Sequence, residues 1–156
     1  IPLRRQRQMC IRDSLQAAGL APRFVGTEIG RASTIKMLRS VMVKGMEALT
    51  VECFRAAARA GVAEEVANSL DASEGGLGWA EQTAYNMERM TAHGIRRAAE
   101  MREVAKTLRG LDVAPAMTTG TISWEEEMGA LDLSLDSGTP LAEQLTLIER
   151  ALEKGE

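Results

Sequence analysis

The sequence predicts a mainly α-helical chain in which a long helix leads into an all-α bundle, with one short strand ahead of it. Three observations carry that reading. Aromatic residues make up only 3% of the 156 residues while Ala, Leu, Met and Glu abound, a balance that favours helix over sheet. From Arg31 to Ala60 the only Gly or Pro is Gly45, and Gly61 closes the run. The last segment carries Leu141, Leu145, Ile148 and Leu152 at helical spacing.

Each element follows from its residues. Leu15 to Gly19 reads as the end of a helix with Gly19 as its stop. Pro22 to Gly26 (PRFVG) reads as a short strand, and Gly26 to Gly30 as a turn. A helix from Arg31 to Ala60 spans about 45 Å at 1.5 Å per residue, a length more usual for a connector than for a helix inside a small domain. Val62 to Leu70 is a short helix and Asp71 to Gly78 a loop. Trp79 to Thr91 is helical, with Trp79, Thr83, Met87 and Met90 recurring on one side. The pair His93-Gly94 marks a bend. Beyond it Ala98, Met101, Val104, Ala105 and Leu108 continue the apolar face until Gly110. Ala116 to Ala130 is a helix after Pro115, and Leu131 to Gly138 a loop. Pro140 to Lys154 is the last helix, with Thr139 as its cap and Pro140 at its first position. Met37, Met42, Met46, Met87, Met90 and Met101 read as adaptable core filling, and Glu125 to Glu127 as a solvated face.

Residues Arg4 to Ser14, RRQRQMCIRDS, coincide throughout with the conceptual translation of a transposase-type sequencing adapter. Residues 1–14 are therefore set apart from the fold as an adapter artifact; the alternative is a natural basic arm. The chain holds 19 basic and 22 acidic residues, and without Arg4, Arg5, Arg7, Arg12 and Asp13 the remainder is 15 against 21, a net charge of −6. That acidity argues against a nucleic-acid partner, whose binding rests on Lys and Arg displacing counterions. Cys53 is the only cysteine outside the adapter stretch, so no intramolecular disulfide is expected and a reducing, cytoplasmic compartment fits. No apolar run approaches the roughly 20 residues that cross a bilayer, so no membrane partner is expected.

The chemistry concentrates at the start of the long helix. Lys36, Ser40, Lys44 and Glu47 follow i, i+4, i+8, i+11 and form one polar stripe. An ordinary solvated face is one reading. The flanking Ile35, Met37, Leu38, Val41, Met42, Val43 and Met46 favour another, in which the stripe faces a cleft or a partner. Lys36 sits near the positive end of the helix dipole, which disfavours its ammonium and suits it to general-base work.

These residues resemble a known family. The stretch GRASTIKMLRSVMVKGMEALTVECFRAAARAGV, with HGIRRAAEMREVAKTL and Val113 to Met117 further on, is similar to the C-terminal domain of 6-phosphogluconate-dehydrogenase-like NAD(P)-dependent oxidoreductases, within the β-hydroxyacid dehydrogenase superfamily. The resemblance implies a Rossmann domain preceding the long helix, of which residues 15–30 are a remnant, and an all-α substrate and dimerisation domain over residues 31–156. It places the family's catalytic lysine on Lys36 and the Gly-rich turn before it on Gly30. Where many relatives carry Asn one turn after the lysine, this chain has Ser40, a substrate-binding candidate with fewer donors. His93, the only histidine, and Arg96 and Arg97 are further substrate candidates, the arginines as forked partners of a carboxylate or phosphate. A helix-face pairing of Arg96 with Glu100 is the plainer alternative.

Other matches are set aside. Ser33 to Lys36 fits S-x-x-K, but the partner motifs S-D-N and K-T-G are missing. One His and one credible Cys make no metal site. No G-x-G-x-x-G occurs, so the dinucleotide fingerprint is lacking.

The function expected is thus the helical part of an oxidoreductase moving hydride between NAD or NADP and a small hydroxy acid or sugar acid. Lys36 is the general acid/base, the assembly a homodimer. As a fragment it would bind no cofactor and be inactive. A self-standing helical interaction module without catalysis is the second reading.

Overall fold

The computed structural model describes residues 2–73, 78–136 and 138–154, leaving aside the side chains of residues 2–9. Six helices follow in order: α1 Pro2–Ala17, α2 Arg31–Ala60, α3 Ala63–Ser73, α4 Trp79–Gly110, α5 Ala116–Gly129 and α6 Leu141–Glu153. The chain divides into two units, Ile1–Ser33 and Thr34–Glu156.

In the first unit α1 runs through the adapter-like stretch. It closes on Gly19, whose amide bonds to Gln16 O while Leu20 N reaches Leu15 O at 3.0 Å. The expected stop at Gly19 is therefore formed. The strand expected over Pro22 to Gly26 is not: these residues have no regular structure. A strand is held by hydrogen bonds to a neighbour, and no strand occurs among the described residues to supply one.

The second unit is the bundle, and α2 matches the expected Arg31–Ala60. It ends at Gly61, φ +74°, where Val62 N bonds to Ala57 O at 2.9 Å and Gly61 N to Ala58 O at 3.0 Å. That paired 6→1 and 5→2 closure needs a left-handed residue, which glycine adopts without a Cβ penalty. The turn delivers the chain into α3, which runs on to Ser73, three residues past the expected end. The loop expected over 71–78 lies partly outside the described residues.

Two helix ends differ from expectation. Gly110 is still helical, and the left-handed closing residue is Asp112, φ +56°, with Val113 N bonded to Leu108 O. Asp tolerates that conformation better than most residues because its short polar side chain bonds locally. Thr139 does not cap α6 either. Pro140 is the N-cap, φ −54° and ψ 142°, and its carbonyl accepts from Glu143 N and Gln144 N.

Packing forms two apolar clusters. The larger joins Val51 and Phe54 of α2 to Met87 and Met90 of α4, Met128 of α5 and Leu145 and Ile148 of α6. The smaller joins Met101, Val104 and Leu108 of α4 to Met37, Val41 and Ile122. Full burial of each such side chain contributes about 1.5–3 kcal/mol. Met87, Met90 and Met101 are thus core filling as expected, whereas Met42 is 66% exposed and Met46 40%.

The predicted bend at His93-Gly94 is absent, because α4 continues unbroken through both residues. Gly94 is glycine for another reason: α5 crosses α4 there. A Cβ on Gly94 would sit 2.8 Å from the Cα and N of Gly129, and one on Gly129 would sit 2.5 Å from Ile95 N.

Candidate active site

Helices α2 and α4 run antiparallel, as their cross-links show. Asn86 Nδ2 donates to Thr50 Oγ1 at 2.9 Å, Arg97 pairs with Glu47, and Lys44 Nζ donates to Glu100 at 2.6 Å. The polar stripe of α2 therefore runs from solvent into the bundle. Lys36 is exposed, Ser40 half-buried, and Lys44 and Glu47 are buried against α4.

Around Lys36 the surroundings are polar. Glu100 takes Lys44 on one oxygen and Arg96 Nη1 on the other at 2.6 Å. The Lys44 hydrogen bond, joined by the charges of Lys44, Arg96 and Lys36, outweighs partial burial and holds the Glu100 carboxyl below its ordinary value. Lys36 thus shares one electrostatic neighbourhood with Glu100 and Arg96. Ser40 Oγ donates to the carbonyl of Lys36 at 3.0 Å, so its proton is committed and its lone pairs remain to accept. Gly30, in the first unit, has φ +88° and immediately precedes α2. It is a turn residue, as the sequence implied.

The remaining sequence candidates differ in burial and in what holds them. Arg96 is two-thirds exposed and held by Glu100, the pairing given above as the plainer alternative. His93 is exposed and lies between Arg89 and Arg97, both of which pair with Glu47. That puts it level with Glu47, eleven residues or about 16 Å along α2 from Lys36. Arg97 is 2% exposed and held inside the bundle through Nη2 and Nε, while its Nη1 has no hydrogen-bond partner among the described residues.

The sequence reading missed what engages it. Glu125, expected on a solvated face, is 0% exposed and lies 3.3 Å from Arg97 Nε. Only its neighbours face outward, Glu126 pairing with Arg102 and Glu127 with Arg55. Arg97 therefore sits between two buried carboxylates, and both Glu125 oxygens lack a hydrogen-bond partner among the described residues. Burial pushes the Glu125 carboxyl up to about 7 against the pull of Arg97, with Glu47 adding to the rise. Glu47 is also raised by burial, against Arg97, Arg89 and Lys44. One weak signal was available: Glu125 falls four residues after Thr121 and eight after Met117, on a helix with no other charge before it.

This core carboxyl has a pH signature. A folded-state value above the unfolded 4.5 means the native state holds the extra proton. Its stabilisation is full below pH 4.5 and is lost as pH rises through 7. At 1.36 kcal/mol per unit the loss is roughly 3 kcal/mol. Glu100 and Glu149 shift the other way and act only below pH 4.5. Thermal unfolding should therefore show a melting temperature falling between pH 5 and 8, and Glu125→Gln should make that fall shallower, with Glu47, raised in the same direction, supplying what remains. An equally steep fall in the variant would place the titrating group elsewhere.

Comparison with known proteins bears on this arrangement. Residues 57–128 match the family model Domain of unknown function (DUF1932). The match spans His93, Arg96, Arg97 and Glu125 but stops short of Lys36. Across 94% of its length the chain is similar in structure to a conserved hypothetical protein from Sinorhizobium meliloti 1021, at a TM-score of 0.79 and 32% identity, covering 50% of that protein. It is also similar to MTH1747, a conserved protein of unknown function described as revealing structural similarity with 3-hydroxyacid dehydrogenases. There the TM-score is 0.65 and the identity 35%, over 75% of this chain and 45% of MTH1747. An uncharacterized 28.5 kDa protein in the 7S RNA 5′ region of Methanothermus fervidus is 29% identical over 103 residues, 66% of this chain and 41% of that one. The chain thus spans half or less of the length of these relatives.

Proposed function

We propose that this chain is the helical half of an NAD(P)-dependent oxidoreductase acting on a small hydroxy acid or sugar acid, with Lys36 as the general acid/base. The likeness to MTH1747, itself described as similar to 3-hydroxyacid dehydrogenases, carries the proposal. An exposed lysine beside a polar cluster at the start of the long helix supports it.

A dinucleotide does not fit the residues present. The sequence has no G-x-G-x-x-G, and no strand occurs among the described residues to build a βαβ unit. The cofactor then belongs to a Rossmann domain of a longer protein, and this chain alone turns nothing over. In oxidation the Lys36 amine takes the proton of the substrate hydroxyl, and in reduction its ammonium returns it to the carbonyl oxygen. Ser40 accepts from a substrate hydroxyl, and Arg96 faces the substrate's anionic group. Arg97 contributes by fixing α2 on α4, and His93 is left outside the substrate contacts.

The test is a nicotinamide-absorbance assay of the longer coding sequence against a panel of hydroxy acids and sugar acids. Turnover of at least one is expected; a longer protein with no dinucleotide fingerprint and no turnover would favour the interaction-module reading.

The assembly proposed is a homodimer. Ile35, Leu38, Met42, Met46 and Leu49 follow i, i+3, i+7, i+11, i+14 on α2, and each is 40–66% exposed. An apolar stripe of that length is rarely left in water. Light scattering should show self-association of this chain that a Met42→Glu/Leu49→Glu variant abolishes. A monodisperse monomer for the parent chain would count against the dimer.

A further inference from the structure

One cavity lies away from both Lys36 and the exposed stripe of α2. It has a volume of about 1070 Å³ and opens where the end of α2 meets α6 and the segment that follows α5. Its apolar part is made of leucines. Leu131, Leu133 and Leu152 pack against the main core cluster, and Leu147 is 37% exposed.

Helix α6 supplies one wall through Leu147, Arg150, Ala151 and Lys154, spaced i, i+3, i+4 and i+7, which is a single helical face. Lys154 is the C-cap and keeps helical angles, φ −85° and ψ −15°, so the register holds to that residue. Arg150 and Lys154 therefore stand one turn apart, about 6 Å along the axis, and border the same cavity. The carboxylates of α6 fall on its other flank: Glu149 and Glu153, each one residue earlier, line a neighbouring cavity together with Glu64 and Glu65 of α3. Arg150 stands on the ridge between the two and lines both.

On the α2 side the charges are already balanced. Arg55 donates to Glu127 at 2.6 Å and to Glu149 at 2.9 Å, and Arg59 reaches the other Glu149 oxygen at 2.7 Å. Glu127, the carboxylate of the lining, is thus taken. Arg150 and Lys154 are both exposed and make no ion pair among the described residues. A helix C-terminus favours a cation, but two like charges at i, i+4 destabilise a helix. Their sorting onto one flank leaves two uncompensated cations beside a leucine-lined cavity.

We propose that this cavity binds a small aliphatic amphiphile with a dianionic head, an alkyl phosphate monoester. The two unpaired cations match the charge of such a head, about −1.5 to −2 at pH 7, and the Arg150 fork and Lys154 ammonium supply its donors. The alkyl chain lies over the leucines. A carboxylate head leaves one cation unanswered, and a neutral alcohol leaves both. No residue of the Lys36 neighbourhood or of the α2 stripe lines the cavity, so the site stands independently of the proposed oxidoreductase and dimer.

Hexyl phosphate is the probe, with inorganic phosphate, hexanoate and 1-hexanol as controls, all at one ionic strength because salt screens exposed charges. In 1H–15N spectra hexyl phosphate should move the amides of Leu133, Leu147 and Ala151 saturably, with a dissociation constant of about 1 mM. The indole N–H of Trp79, which does not line the cavity, should stay in place. The three controls should bind more weakly. Arg150→Gln/Lys154→Gln should weaken hexyl phosphate at least about tenfold; both side chains are exposed, so the fold is kept, which circular dichroism verifies. Leu147→Ser should weaken hexyl phosphate several-fold and leave inorganic phosphate unchanged. Equal binding of 1-hexanol or of inorganic phosphate, unchanged affinity in the double variant, or shifts that spare the three amides would overturn the proposal. Hexanoate binding as tightly as hexyl phosphate would overturn the dianionic head.

Discussion

Gly94→Ala should destabilise the bundle by about 3 kcal/mol, although alanine is the better helix former. The usual exchange of Gly for Ala inside a helix gains roughly 1 kcal/mol from propensity. At Gly94 that gain meets backbone: the added methyl would lie 2.8 Å from the Cα and N of Gly129. Side chains can rotate away from such an overlap, but a helix backbone moves only if α4 and α5 separate. Overpacking against rigid neighbours costs about 1–3 kcal/mol or more, and separation would also loosen Met128 and the Arg97–Glu125 pair. Gly120, on α5 with nothing within 4 Å of its would-be Cβ, is the control. Urea unfolding followed by circular dichroism should give midpoints in the order Gly120→Ala, parent, Gly94→Ala. If Gly94→Ala matched Gly120→Ala, the close crossing of α4 and α5 would be wrong.

That crossing shows what a single sequence hides. The lack of Gly and Pro located α2, and periodicity located α4 and α6, because burial on one side of a helix leaves a 3.6-residue pattern in the chain. Gly94 was seen too, but a glycine that kinks a helix and one that lets another helix approach look alike without the partner helix. Glu125 failed similarly. Its neighbours Glu126 and Glu127 do face outward to Arg102 and Arg55, and only the rotation of α5 against α4 turns the first of three glutamates into the core. Arg97 beside Arg96 repeats the lesson: adjacent residues on a helix point about 100° apart, one to solvent and one to the interior. The PRFVG segment has a strand's composition, yet a strand is made by its partner. Charge-bearing residues were therefore legible as a stripe, while which of them are buried was not.

Lys36 and Lys44 lie on that one stripe, and under the proposed oxidoreductase function they should separate cleanly in a longer protein that carries the activity. The proposed general acid/base is the exposed Lys36; Lys44 is buried and bonded to Glu100 at 2.6 Å. Lys36→Ala should lower kcat by about 10²- to 10⁴-fold, the usual share of a positioned proton carrier, with the melting temperature close to the parent's because an exposed side chain contributes little to folding. Lys36→Arg should be nearly as slow, since a guanidinium does not give up its proton near neutral pH. Lys44→Met should do the opposite, lowering the melting temperature while leaving kcat near the parent's where the protein is folded. Removing the ammonium also frees Glu100 to hold Arg96 alone, so any change in substrate handling should appear in KM. Near-normal kcat in Lys36→Ala would take the residue out of the chemistry. Loss of kcat in Lys44→Met at full folding would show that the proton is carried deeper along the stripe, through the Lys44–Glu100 pair.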